Sequence, residues 1–306
     1  MNWAPLHLHA MPVERVWGGQ RLAETTKPIG ELWAIGEENV VRGGSFEGRT
    51  VAQLAAEFPT ELLGRAAQGD RFPLLIKLLD CADWLSLQVH PNDDQAAHLE
   101  GVGKLGKTEA WYILDAAPGA RLIAGVAPHT SPEDLRYDIL SGQVMNRAVY
   151  REVSPGDSLM IPAGTIHALG PGILLYEVQQ SSDITYRIYD WDRPASAGRV
   201  LHLSQSAEVS QAVTAELQHL SPVDGVQELL RCDYFVLERL TPGRTPLERD
   251  TAAHTFHALT VLRGEATLHV DGVAWTLNPY ESVLVPAGLG RYALSGDFEV
   301  LSSRLP

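Results

Sequence analysis

Cysteine is scarce in this chain, with two among 306 residues, Cys81 and Cys232, far apart. A disulfide framework is therefore not expected, and a reducing cytoplasmic setting fits. Cys81, between Leu79 and Trp84, reads as a small buried hydrophobe. Cations are also few: 24 Lys and Arg stand against 38 Asp and Glu, for a net charge of -14. A chain this acidic, without a basic patch, repels nucleic acid, so that class of partner is excluded. A phosphorylated small molecule stays possible, because one or two well-placed cations suffice to hold it. No run approaches the ~20 apolar residues of a membrane helix. Residues 1–5 lack the basic-then-apolar order of a secretory leader. The expectation is a cytoplasmic protein, monomer or homodimer, that touches no membrane.

Glycine and proline are plentiful, 27 and 19, which suits a fold of short strands and many turns. The 45% hydrophobic and 20% charged content is that of an ordinary globular chain, and the length allows two modest domains. The pattern predicts a mainly β fold with two short helical inserts. Residues 50–65 form the first, with Thr50 as cap and Val51, Leu54, Ala55 and Phe58 on one face. Residues 131–141 form the second: Ser131 caps, Pro132 takes the first helical position, Glu133 and Asp134 suit the positive end, and Gly142 ends it. Strand candidates fall at 74–79, 84–90, 109–114, 158–162, 173–180 and 184–190, then at 234–240, 256–263, 266–270, 273–277 and 282–286. Asp271-Gly272 between two apolar runs is a two-residue hairpin turn. A polar stretch of little period at 202–224 marks the boundary between two sandwiches, residues 1–220 and 221–306.

Three segments carry chemistry. In Trp84-Leu85-Ser86-Leu87-Gln88-Val89-His90, strand alternation places Leu85, Leu87 and Val89 on one face and Gln88 and His90 on the other. Glu109 opens the next strand on the face of Trp111, where a carboxylate needs a partner. The third segment, Gly156 to His167, reads G-x5-P-x-G-x2-H: Pro162 and Gly164 force a tight turn that presents His167. This last motif is similar to the second motif of the cupin superfamily, whose His binds metal. Two imidazoles, a carboxylate and an amide oxygen make a mixed N/O set that suits Zn²⁺, and also Mn²⁺, Fe²⁺ or Co²⁺. Among 11 His a chance pair is cheap, and His7-Leu8-His9 is such a decoy, with no carboxylate or second motif in step. In the second sandwich Tyr280 to Arg291 repeats the motif with Arg291 in the place of His167, so that half reads as a repeat without metal ligands.

The runs Leu87-Gln88-Val89-His90-Pro91, Gly106-Lys107-Thr108-Glu109-Ala110-Trp111-Tyr112, Pro162-Ala163-Gly164-Thr165-Ile166-His167-Ala168, Glu177-Val178-Gln179-Gln180-Ser181-Ser182-Asp183 and Thr185-Tyr186-Arg187 resemble the signature of type I mannose-6-phosphate isomerases in their short bacterial form. Val16-Trp17-Gly18-Gly19 and Gly30-Glu31-Leu32-Trp33 are similar to that family as well, with Leu32 where the family usually has Ser. The resemblance spans residues 12–195 and beyond about 225 is only architectural. It implies two cupin-type jelly-roll sandwiches and one Zn²⁺ per chain held by Gln88, His90, Glu109 and His167. It also implies a catalytic role for Arg187 and active-site roles for Lys107 and Glu177.

The implied reaction interconverts mannose 6-phosphate and fructose 6-phosphate through an enediol-type intermediate. That chemistry needs a proton carrier near C1 and C2 and positive charge near the carbonyl oxygen. Glu177 is the candidate carrier, with a metal-bound water as rival. Arg187 is not a base, since guanidinium stays protonated. Cross-strand pairing is expected to bring Glu177 near Arg187. Two other classes compete. A cupin oxygenase keeps a short run between its His pair and Glu, whereas 18 residues separate His90 from Glu109 here. A non-catalytic sugar-binding protein needs neither Glu177 nor Arg187.

Overall fold

The computed structural model describes residues 3–23, 25–194 and 199–306; Met1 and Asn2, part of the segment read for a leader, and Ala195, the end of the resembling stretch, lie outside the described residues. The fold is mainly β, in antiparallel sheets, with five short α-helices among the described residues. None of the described helices is long and apolar enough to cross a membrane. Two compact units divide the chain, one of residues 12–32 and 78–219, the other of residues 1–11, 33–77 and 220–306. The chain therefore passes between the units near residues 11, 32 and 77 as well as at the polar stretch around 220.

The unit of residues 78–219 is a sandwich. One sheet includes, in order, Leu217–His219, Asp157–Ile161, Glu109–Ala116 and Ile173–Gln180; the other orders Tyr186–Tyr189, Leu87–Val89, His167–Leu169, Arg121–Val126 and Ala148–Glu152. Alternation along the strands splits the apolar side chains into two sets. Trp111, Ile113, Leu122, Ala124, Leu159, Ile161 and Leu169 fill one core. Leu87, Val89, Ile123, Ile166 and Ala168 instead pack with Leu135, Ile139 and Ala207 of the helices. Gln88, His90 and His167 are thereby left on the face opposite the helices. The expected strand at 84–90 is shorter, Leu87–Val89. Leu85 packs in the first core rather than beside Leu87 and Val89, because the chain before Leu87 is irregular and breaks the alternation.

The helix expected at 131–141 is present as Pro132–Leu140, with the Ser131 side chain accepting from the Asp134 N–H. The one expected at 50–65 is two: Val51–Glu57, closed by a Thr50/Gln53 capping box, and Pro59–Leu63. Pro59 has no N–H to continue the first helix and starts the second. Asp93–Glu100 and Leu203–Val209 are further helices. The first is signalled by an Asn92/Gln95 capping box that the strand-dominated pattern obscured.

The other unit contains the second set of strands. Asp271 and Gly272 have φ of 48° and 80° and join Val270 to Val273 in the expected hairpin. The two candidates at 256–263 and 266–270 are one strand, His257–Val270, bent at a register shift between Val261 and Arg263. Arg291 does not take the inner place of His167. Its side chain is 89% exposed beside Asp250, and the next residue, Tyr292, is the buried one. The decoy His7 pairs with Val283 in a short edge strand.

Candidate metal centre and active site

His90, Glu109 and His167 meet as expected, all buried, with one potential ligand atom from each lying within 4.8 Å of the others. Three different strand ends supply them. His90 follows Leu87–Val89, Glu109 opens its strand, and His167 opens the strand after the Pro162–Gly164 turn. That turn is tied to the first segment by the Gly164 N–H, which donates to the His90 carbonyl at 2.8 Å. Gln88 stands directly opposite His167 in the ladder.

The imidazoles are fixed by backbone oxygens. His90 Nδ1 lies 2.8 Å from the Ile184 carbonyl and His167 Nδ1 lies 2.9 Å from that of Thr165. A carbonyl only accepts, so each Nδ1 carries the proton and each Nε2 presents a lone pair inward. Burial holds the His167 pKa below its ordinary value, against the raising effect of Glu109. His167 Nε2 then faces Glu109 Oε1 across 3.2 Å, two lone-pair atoms with no hydrogen between them. Glu109 Oε1 is buried and receives no hydrogen bond among the described residues, while Oε2 lies 2.9 Å from the Lys107 ammonium. A cation between these atoms resolves both features. The spacings agree: His167–Glu109 is 3.2 Å, His90–Glu109 is 3.6 Å and Gln88 Nε2–His167 Nε2 is 3.2 Å. Ligands about 2.05 Å from a tetrahedral centre sit about 3.3 Å apart. Half a turn of the Gln88 amide presents its oxygen in place of its nitrogen. The donor set thus fits a divalent metal of the N/O type.

Lys107 is buried beside the cluster, its Nζ 2.9 Å from Glu109 Oε2 and 3.2 Å from His90 Nε2. Burial opposes its charge, but Glu109 and Glu177 outweigh burial and raise its pKa. Glu31, itself paired to Arg15 at 2.8 Å, adds to that field. Glu177 is buried and accepts from the Trp111 indole N–H at 2.9 Å, while the Trp111 ring meets His167 edge-on at 5.4 Å. Arg187 is half-buried, with Nε donating to Ser86 Oγ at 3.2 Å and Nη1 to the Val200 carbonyl at 3.1 Å. Burial, and then Arg199, hold its pKa below the usual guanidinium range.

The expected cross-strand pairing of Glu177 with Arg187 is not present. Glu177 pairs with Trp111 in one sheet and Arg187 with Gln88 in the other. The Ser181–Thr185 connection crosses between sheets, so the two residues do not share a hairpin.

Sequence reasoning did not find the latch that holds Lys107. Gln180 Oε1 accepts from the Thr108 N–H at 2.9 Å, its Nε2 donates to Asp93 Oδ1 at 3.0 Å, and the Gly106 N–H donates to the same oxygen at 2.7 Å. A side chain on Gly106 would meet the Asn92 backbone at 2.4 Å, so only glycine fits there. Strand alternation puts Trp111 on the face of Glu109, but its hydrogen bond to Glu177 depends on a ladder that local pattern does not reveal.

A model of the phosphomannose isomerase type I catalytic domain matches residues 13–110. The mannose-6-phosphate isomerase ManA of Bacillus subtilis is 35% identical over the full length of both chains. The chain belongs to the type I mannose-6-phosphate isomerase family. A mannose-6-phosphate isomerase of Streptococcus mutans is 35% identical over 98% of each chain. The crystal structure of a mannose 6-phosphate isomerase from Bacillus subtilis superimposes with a TM-score of 0.85 at 30% identity, covering 98% of this chain and 99% of that one. The protein is accordingly an isomerase of that family, with its mainly β, cupin-type fold and a three-residue group suited to a metal.

Proposed function

We propose that the protein interconverts mannose 6-phosphate and fructose 6-phosphate through an enediol-type intermediate. The reading rests on family membership and on one observation above all. A buried His90–Glu109–His167 cluster has an ammonium 2.9 Å from its carboxylate and, in the same unit, a second buried carboxylate, Glu177, and a guanidinium, Arg187. Binding alone requires no such set.

Gln88, His90, Glu109 and His167 would hold the metal, one per chain. Their donor atoms suit Zn²⁺, with other divalent ions able to replace it. A bound divalent ion supplies Lewis-acid polarisation of a sugar oxygen. The remaining work falls to the chain itself. Glu177, oriented by the Trp111 N–H, carries the proton between C1 and C2. Arg187, oriented by Ser86 and the Val200 carbonyl, stabilises negative charge on the carbonyl oxygen and does not exchange protons. Lys107 donates to a substrate oxygen and keeps its charge through the carboxylates around it. Residues 1–220 carry the metal chemistry and the 221–306 sandwich carries none. The protein works in the cytoplasm as a monomer or homodimer.

The test is a coupled assay of mannose 6-phosphate turnover on protein stripped with chelator and then given Zn²⁺. Activity that is lost on stripping and returns with metal supports the proposal. Absence of turnover with every divalent ion tried would overturn it.

A further inference from the structure

The unit that contains the second set of strands keeps a cavity of about 500 Å³. Ladder register shows what this cavity corresponds to. Glu109 lies opposite Ile161, the residue before Pro162, and His257 lies opposite Val285, the residue before Pro286. His257 therefore stands where Glu109 stands in the metal-bearing sandwich. Gln88 pairs with His167 there, and Arg249 pairs with the inward Tyr292 here. Two residues on, His90 is matched by Thr251, and two residues before Glu109, Lys107 is matched by Thr255. Gln179 lies opposite Glu109. By the same register Arg304 lies opposite His257, since Ala258 pairs with Ser303.

The two facing ligand places, Gln88 and His167, are thus refilled by Arg249 and Tyr292, and the carboxylate of Glu109 by the single imidazole His257, so the negative charge that a cation needs at that place is lost. Arg249, Thr251, Thr255, His257 and Arg304 line the cavity together with Glu238. Glu238 is paired to both guanidiniums, at 2.5 Å to Arg249 and 3.0 Å to Arg304. Two guanidiniums share one carboxylate, which leaves the cavity floor one positive charge in excess. The Arg249 Nε–H has no acceptor among the described residues. Tyr292 Oη lies 2.7 Å from His257 Nδ1. With the tyrosine O–H donating to Nδ1, the imidazole proton sits on Nε2 and is available as a further donor. Glu248, Asp250 and Arg65 stand at the mouth and are exposed, where solvent screens them.

We propose that this cavity is an anion site, one that seats a phosphate group through Arg249, Arg304 and His257 in the place where the other sandwich seats a cation. Partly buried guanidinium in excess recognises phosphate oxygens through paired N–H donors. The proposal does not depend on the isomerase reading, because it uses other residues in the other unit.

The probe is inorganic phosphate, followed by the His257 ring resonances in NMR at constant ionic strength. The His257→Gln variant identifies those signals. A saturable phosphate-induced shift that chloride does not produce is expected. Arg304→Gln should weaken it about tenfold. Glu238→Gln should tighten it, since it raises the excess charge of the floor, and a variant that merely damages the fold cannot bind more tightly. Absence of a shift, an equal shift with chloride, or weaker binding in Glu238→Gln would each overturn the proposal.

Discussion

Replacing Glu109 with Gln should destabilise the metal-free protein through Lys107. Lys107 is 5% exposed and its ammonium lies 2.9 Å from Glu109 Oε2. Removing one partner of a buried ion pair leaves the other ion uncompensated, at a cost of about 3–5 kcal/mol. Glu177 still contributes to the field at Lys107, which favours the low end, about 3 kcal/mol. For a unit of this size that corresponds to roughly 6–12 °C in Tm. The Lys107→Met/Glu109→Gln double variant removes both charges and should recover most of the loss. The assay is thermal melting followed by circular dichroism in the presence of chelator. Addition of Zn²⁺ at about 100 times its Kd should then stabilise wild type by about 2.7 kcal/mol and the single variant by far less. A single variant that melts with wild type, or a double variant no more stable than the single, would refute the buried-pair account.

His167→Asn should lose the metal, measured as metal per chain by elemental analysis, and lower kcat by about a thousandfold or more. Arg187→Lys should keep metal content and melting point yet lower kcat by about 10²–10³, because an ammonium cannot meet Ser86 and the Val200 carbonyl together as the guanidinium does. Trp111→Phe keeps an aromatic edge against His167 but removes the N–H that holds Glu177. It should lower kcat about tenfold with metal content unchanged, as expected for a group that positions the proton carrier. His257 should make the protein acid-sensitive. Burial, and then Arg249 and Arg304, lower its pKa to about 3 from 6.5. The unfolded chain therefore binds the proton first, and the stability from the neutral buried ring is whole above pH 6.5 and is lost as pH falls towards 3, at about 1.4 kcal/mol per pH unit. Urea melts of wild type and His257→Gln should show a flatter profile for the variant across that window.

The parts of the site that were legible in the sequence share one property: local geometry fixes them. Gln88 and His90 point the same way because they are two apart on a strand. His167 is presented by a proline–glycine turn whose φ of 87° at Gly164 suits glycine. The capped helix at Pro132–Leu140 and the Asp271-Gly272 hairpin are equally local. The parts that failed depend on which strand pairs with which. Glu177 and Arg187 are 10 residues apart and look like the arms of a hairpin, yet they belong to opposite sheets. The Gln180–Asp93–Gly106 latch joins positions 87 and 13 residues apart. Nothing within a strand-length window contains that information. Arg291 shows the same limit on a finer scale. Motif spacing placed it on His167, but an exposed Arg291 and a buried Tyr292 show the inner position moved by one residue, and in a strand one residue exchanges inside for outside. The exchange has a consequence for the second sandwich. A buried tyrosine beside two guanidiniums makes a cavity suited to an anion, whereas spacing alone described only the absence of a metal ligand.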